Sequence, residues 1–245
     1  MSSLLVQKIK NFSDSKPTDD ALISYKALRK AIGWIGILLP TILITWGWFF
    51  ADCRAVQPSV SHYYYTTERE IFTGAMCAAA FFLVCYKGFS KLDSWLTNLA
   101  AIFALIVVIF PTYMTHDGKG GYPCQVKLNS LFDVPWHGTI HIIAAALFLL
   151  TLAFISFYLF TLSAEDDPEL RTPAKRNRNR MFRFCGIVMV LCVVVIGIYF
   201  ASGKEEEDSY VTIIGETIAM LAFGFSWLTK GEALFPDPKN GNSTN

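Results

Sequence analysis

The sequence predicts an all-α polytopic integral membrane protein, a six-helix transmembrane bundle with two ordered extracytoplasmic loops. Three observations carry this. The chain of 245 residues is 53% hydrophobic with mean hydropathy +0.40, too apolar for an ordinary water-soluble domain. Apolar stretches of about bilayer-crossing length recur along it. Lys and Arg sort onto alternate connections between those stretches.

The six expected spans are 31–51, 68–87, 95–114, 137–162, 182–201 and 210–229. Asp19 or Asp20 is placed to cap a helix that runs straight into the first span, and Pro40 should kink that span by removing one backbone hydrogen bond. The second span is the weakest, because its strictly apolar core, Ile71 to Tyr86, reaches bilayer length only if 66–70 form its first turn. In the third, Asn98 reads as a helix–helix hydrogen bonder. The fifth contains MVLCVVVIGI, apolar all round and rich in β-branched residues, which lipid tolerates and a water-facing surface does not. On the sixth, Gly215, Ala219 and Ala222 form a small-residue stripe suited to close helix packing.

With the N-terminus inside, the cytoplasmic segments hold 16 of the 21 Lys and Arg residues; Arg54, Arg69, Lys119, Lys127 and Lys204 remain for the other side. Both termini are therefore expected in the cytoplasm and the chain in a cell membrane, that of the bacterial inner membrane. Some thirty mostly polar residues precede the first span, so no cleavable signal peptide is expected. The organisation is a cytoplasmic segment, 1–30, a membrane domain, 31–232, and a cytoplasmic tail, 233–245. The net charge of +1 conceals this polarity and gives no reason to expect nucleic acid. The expected partners are membrane lipids, with a second copy or another membrane protein left open.

The two long outer loops, 52–67 and 115–136, are rich in aromatics, which suggests a small folded cap, an interfacial aromatic belt, or both. Cys53 and Cys124 fall in these loops and make the one plausible disulfide; the other four cysteines lie in the second and fifth spans.

All four histidines fall near the outer side. In WHGTIHIIAAAL, His137 and His141 are four residues apart, on one helix face with Cβ atoms about 6 Å apart, which suits two ligands of one zinc ion. His62 could supply a third nitrogen, and His116, Asp117 or Glu216 could complete the site or activate a bound water. The plainer alternative makes His137 an interfacial residue and His141 a helix-packing hydrogen bonder. Glu216 lies about six residues into the last span, roughly 9 Å deep at about 1.5 Å per residue, so it should face the interior with a partner. Arg69 and His141 are the candidates. Tyr65 and Arg69 sit at the same level, and a planar guanidinium suits a phosphate or carboxylate headgroup.

The segments SHYYYTTEREIFTGAMCAAAFFLVCYKG, NLAAIFALIVVIFPT, IHIIAAALFLLTLA and GETIAMLAFGFSWLTKGE resemble uncharacterised bacterial six-span membrane proteins and, more distantly, the Frag1/DRAM/Sfk1 group. That resemblance covers about 31–232 and implies architecture without an assigned catalytic residue. The histidines also resemble those of the alkaline ceramidase and adiponectin-receptor superfamily, with its Ser-x-x-x-His, Asp and HxxxH zinc site. Here Ser59 and His62 are three apart rather than four, and the HxxxH lies on the fourth of six spans. Two functions follow as expectations. One is an outward-facing polar pocket for a lipid headgroup or small ligand, drawing on Arg69, Glu216, His141 and Tyr65. The other is a zinc-dependent hydrolase of lipid amide or ester bonds, with His62, His137 and His141 on the metal.

Overall fold

The computed structural model describes residues 19–51, 54–88, 90–114, 123–126, 134–162, 172–203 and 210–236, with side chains from residue 24. The described residues form six α-helices and no strand: α1 (Asp19–Phe49), α2 (Arg69–Cys85), α3 (Lys91–Ile109), α4 (His137–Phe157), α5 (Pro173–Ala201) and α6 (Val211–Lys230). Consecutive helices pack side by side, and α6 closes back onto α1, so the bundle is a ring in chain order with α6 also touching α4.

Five of these helices are long and apolar enough to cross a membrane. The exception is α2, whose 17 residues span about 26 Å against the roughly 30 Å of a hydrocarbon core. Its short apolar core has the cause seen in the sequence, because Thr66–Glu68 form a turn ahead of the helix and not its first helical turn. The fifth helix corrects the sequence in the other direction. Thr172 caps it by accepting from the Lys175 N–H, Pro173 occupies the first turn, and the arginines expected in a loop ride on its first turns. Pro40 sits within an unbroken α1.

The helices differ in how much they bury: 56% of the apolar stretch of α6 is buried and only 17% of that of α5. In α5 the inward face is Cys185, Gly186, Met189 and Cys192, while Phe184 and Ile198 are 64% and 65% exposed. Large apolar side chains left outside the bundle are what lipid permits and water penalises. One end of the core is aromatic: Trp227 is surrounded by Tyr86, Phe160 and Phe223, with ring centroids 5.0, 5.1 and 6.1 Å away. Polar links also join the helices there, since Ser156 on α4 donates to the Phe182 carbonyl of α5 (2.9 Å) and shares a 2.6 Å hydrogen bond with Ser226 of α6.

Closure of the ring rests on glycine. A Cβ on Gly224 of α6 would lie 2.6 Å from the Gly33 carbonyl oxygen and 3.0 Å from the Ile37 nitrogen of α1; one on Gly33 would lie 2.8 Å from the Gly224 oxygen. Both obstacles are backbone, so neither can turn aside, and the two helices meet without intervening side chains. Gly224→Val should therefore lower stability by about 1–3 kcal/mol, read as an earlier thermal transition in detergent. Gly74→Ala, whose added Cβ would meet nothing within 4 Å, should leave it unchanged or raise it slightly.

Candidate functional site

The helix α3 stops where the sequence requires it to. Pro111 cannot continue a helix and disfavours helical backbone at Phe110, so the chain runs on without regular structure through Tyr113. That leaves a row of carbonyls with no intrahelical donor, and burial demands that each find one. Side chains from two other elements supply them. His141 Nδ1 lies 2.8 Å from the Phe110 oxygen and 3.0 Å from the Val107 oxygen. One turn earlier on α4, His137 Nδ1 lies 2.8 Å from the Pro111 oxygen. Tyr65 donates its hydroxyl to the Thr112 oxygen at 2.6 Å. His62 reaches the Tyr113 backbone.

His62 and Tyr65 belong to a 3₁₀ turn, Ser61–Tyr65, that is buried at all five positions. The Val60 N–H at its start donates to Glu216 Oε2 at 2.6 Å, which pins the turn to α6. The stretch before this turn is also stitched to residues 123–126. Gln57, fully buried, donates to the Pro123 oxygen (3.1 Å) and accepts from Gln125 (3.0 Å), and the Val126 N–H donates to the Tyr65 oxygen (2.7 Å). Cys124, in a left-handed conformation, is disulfide-bonded, whereas Cys77, Cys85, Cys185 and Cys192 are free. Cys53 lies outside the described residues, as do His116 and Asp117.

These contacts settle which nitrogen of each imidazole carries hydrogen. A carbonyl only accepts, so Nδ1 of His137 and of His141 must donate, and in the neutral ring Nε2 is then an acceptor. His62 has the opposite arrangement: its Nδ1 lies 2.6 Å from Ser59 Oγ, the hydroxyl donating, which leaves Nε2–H for the Tyr113 backbone. Burial drives the His62 pKa from 6.5 down to about 3, with the neighbouring His141 adding to the effect and the Tyr113 bond opposing it.

Between α4, α5, α6 and the 3₁₀ turn lies a cavity of about 140 Å³. One water needs only about 10–15 Å³ of such space. Its apolar wall includes Ile142, Leu149, Val193, Ile196 and Phe200; its polar lining includes Ser61, Thr212, His141 and Glu216. Two of these groups are buried without a hydrogen-bond partner, His141 Nε2 and Thr212 Oγ1, on side chains only 3% and 2% exposed. Unmet polar atoms of this kind are uncommon in folded proteins, and here both line one cavity.

Of the residues singled out in the sequence, the pocket thus gathers His141 and Glu216. Arg69 is elsewhere: its guanidinium stacks 4.4 Å over the Tyr64 ring and donates to that residue's hydroxyl at 2.7 Å. The expected pairing of Glu216 with Arg69 or His141 gives way to the Val60 N–H. Tyr65 is a structural tie with both its hydroxyl and its carbonyl committed. The zinc arrangement finds no geometric support: among the described residues no three His, Cys, Asp or Glu side chains come together to hold a metal ion. His137 and His141 do share a face, and that face is turned to the carbonyls behind α3. Two residues escaped the sequence reasoning. Thr212 stands four residues before Glu216, a spacing that puts both on one helical face, and this was a usable signal. Glu68, 1% exposed and bonded to the Thr66 hydroxyl, gave none, since a glutamate before a helix ordinarily reads as a solvated dipole partner.

No protein-family model, curated protein or solved structure matches the chain.

Two outcomes are expected. The folded pKa of His62 lies below its unfolded value, so between about 3 and 6.5 the unfolded chain binds more protons and stability rises with pH. The contribution is complete above about 6.5 and is lost as pH falls toward about 3; thermal unfolding across that range should show the slope, and His62→Gln should flatten it. Separately, His141→Ala should destabilise by roughly 1–3 kcal/mol for each orphaned carbonyl, while a metal chelator leaves the wild-type melting temperature unmoved.

Proposed function

We propose that this chain is a multi-pass membrane protein of six spans, with both termini in the cytoplasm of a bacterial cell, whose pocket at the outer end of α4, α5 and α6 binds a lipid headgroup or small ligand. In this reading α2 completes its crossing with the turn ahead of it, as the sequence pattern 68–87 implies. The Lys and Arg distribution supports the orientation, and so does the disulfide at Cys124, which belongs in an oxidising compartment. Its proposed partner is Cys53, which would tie the first outer loop to the second. The similarity to the Frag1/DRAM/Sfk1 group stands as part of the same proposal.

The observation that carries the binding role is the pair of unpartnered buried atoms, His141 Nε2 and Thr212 Oγ1, lining one cavity with a carboxylate. A purely structural pocket gains nothing from leaving two polar groups unmet, whereas a ligand supplies their partners.

Gly197 provides a clean test. It lines the cavity, and a Cβ added there would meet nothing within 4 Å, so Gly197→Leu adds bulk at the pocket wall from a position with room for it. Native mass spectrometry of protein released gently from membranes should show a retained small molecule or lipid on the wild type and none on Gly197→Leu, at equal melting temperature. Equal retention by both would refute a role for this pocket.

A further inference from the structure

We infer that the pocket is built for a neutral amphiphile whose polar end is a hydroxyl group and whose hydrocarbon chain leaves between α4 and α5. The inference rests on the reading of this cavity as a ligand site and names what enters it.

Two atoms set the requirement. His141 Nδ1 is committed to the Phe110 and Val107 carbonyls, so Nε2 of the neutral ring presents a lone pair and only accepts. Thr212 Oγ1 makes no hydrogen bond among the described residues and can donate as well as accept. Both side chains are almost fully buried, and both line the cavity. A group that answers both must donate to the imidazole and share a hydrogen bond with the threonine hydroxyl. A carboxylate, an ester or an ether has no hydrogen to give Nε2, and a quaternary ammonium has neither a donor nor an acceptor. A hydroxyl has one O–H for Nε2 and lone pairs for the threonine hydrogen. It also enters without charge. Away from water a charged headgroup needs a partner of opposite sign, whereas a hydroxyl needs only its hydrogen bonds. Its fit is therefore independent of how the Glu216 carboxylate is compensated.

The rest of the wall takes a chain. It is apolar, with Ile142 and Leu149 from α4 and Val193 and Ile196 from α5. Ile142 and Gly197, which also line the cavity, are exposed on the surface of the bundle, so the cavity reaches that surface between these two helices. In a membrane that opening meets lipid. Water satisfies the two polar atoms but gains nothing from the apolar wall, whereas an attached hydrocarbon chain covers it. The shared chemistry, a hydroxyl on an apolar chain, occurs in diacylglycerols of the bilayer and in free long-chain alcohols.

The test uses the full chain in neutral detergent near pH 7, with binding measured by calorimetry. Dodecanol should bind. Dodecyl methyl ether, which keeps the oxygen but loses the donor, and dodecanoate should each bind about tenfold or more weakly. Thr212→Val should weaken dodecanol by about tenfold, and Thr212→Ser, which keeps a hydroxyl, should not. Without ligand, Thr212→Val should leave the melting temperature unchanged or higher, because the hydroxyl it removes is unmet. A lower melting temperature with unchanged dodecanol binding would assign that hydroxyl to structure and overturn the inference. Competition by phosphatidylcholine vesicles containing diacylglycerol, but not by phosphatidylcholine alone, would assign the site to the lipid. No competition by either, with dodecanol still bound, would assign it to a free alcohol. Both support the inference. Binding of the ether, dodecanoate or dodecylamine as tightly as dodecanol would overturn it while leaving the pocket a ligand site. Failure of every amphiphile to bind would overturn it too, and with equal retention by wild type and Gly197→Leu would overturn both readings.

Discussion

Four consecutive backbone carbonyls behind α3 organise one half of this protein. A helix that stops inside an apolar bundle exposes acceptors that water cannot reach, and each must be met by a donor from somewhere else in the chain. Pro111 forces the stop, and the residues that answer it come from α4 and from the buried 3₁₀ turn: His141 and His137 from one, Tyr65 and His62 from the other. The turn is held in reach by Glu216 of α6 through Val60. One requirement of the backbone therefore draws α3, α4, α6 and the 3₁₀ turn to a common point, beside the cavity.

The opposite half is organised by packing. The rings around Trp227 fill it, and the Gly33–Gly224 crossing brings the last helix against the first. This division suits a binding site. A close-packed end fixes the helix axes, which adds to the hydrogen bonds of His141 and Glu216 in holding the groups at the other end in place. The lipid-facing surfaces contribute no specificity of contact, which is why α5 can be β-branched and exposed along most of its length.

Much of the architecture was legible because it follows from transfer energetics. Apolar length and helix periodicity depend on each residue's own preference for lipid or water. The boundaries that failed depended on neighbours. Whether Thr66–Glu68 joined α2 was decided by Thr66 turning its hydroxyl to Glu68, and no pattern of hydropathy contains that choice. The start of α5 was misplaced because charged residues 175–183 read as loop when they were helix projecting beyond the apolar segment. At the site, depth alone pointed to Glu216 and spacing alone pointed to the histidine pair. What spacing could not reveal was the direction the imidazoles face, since i, i+4 places two rings side by side but leaves open what lies opposite them. Arg69 shows the same limit: the aromatic face that takes it belongs to Tyr64, five residues before it.

The histidine pair also shows how one constraint produces another. An imidazole has two nitrogens, and a neutral ring that gives its N–H from Nδ1 must present a lone pair at Nε2. In His137 and His141 the carbonyls behind α3 claim Nδ1, so the tautomer is set by the backbone, not by any ligand. For His141, the consequence is an acceptor at the cavity that makes no hydrogen bond to the described residues. The residue is structural at one nitrogen and unsatisfied at the other. Replacing it would disturb both functions together, which is why the ligand's chemistry is better probed at Thr212, and why a loss of binding on mutating His141 alone would not distinguish a ligand contact from a broken cap.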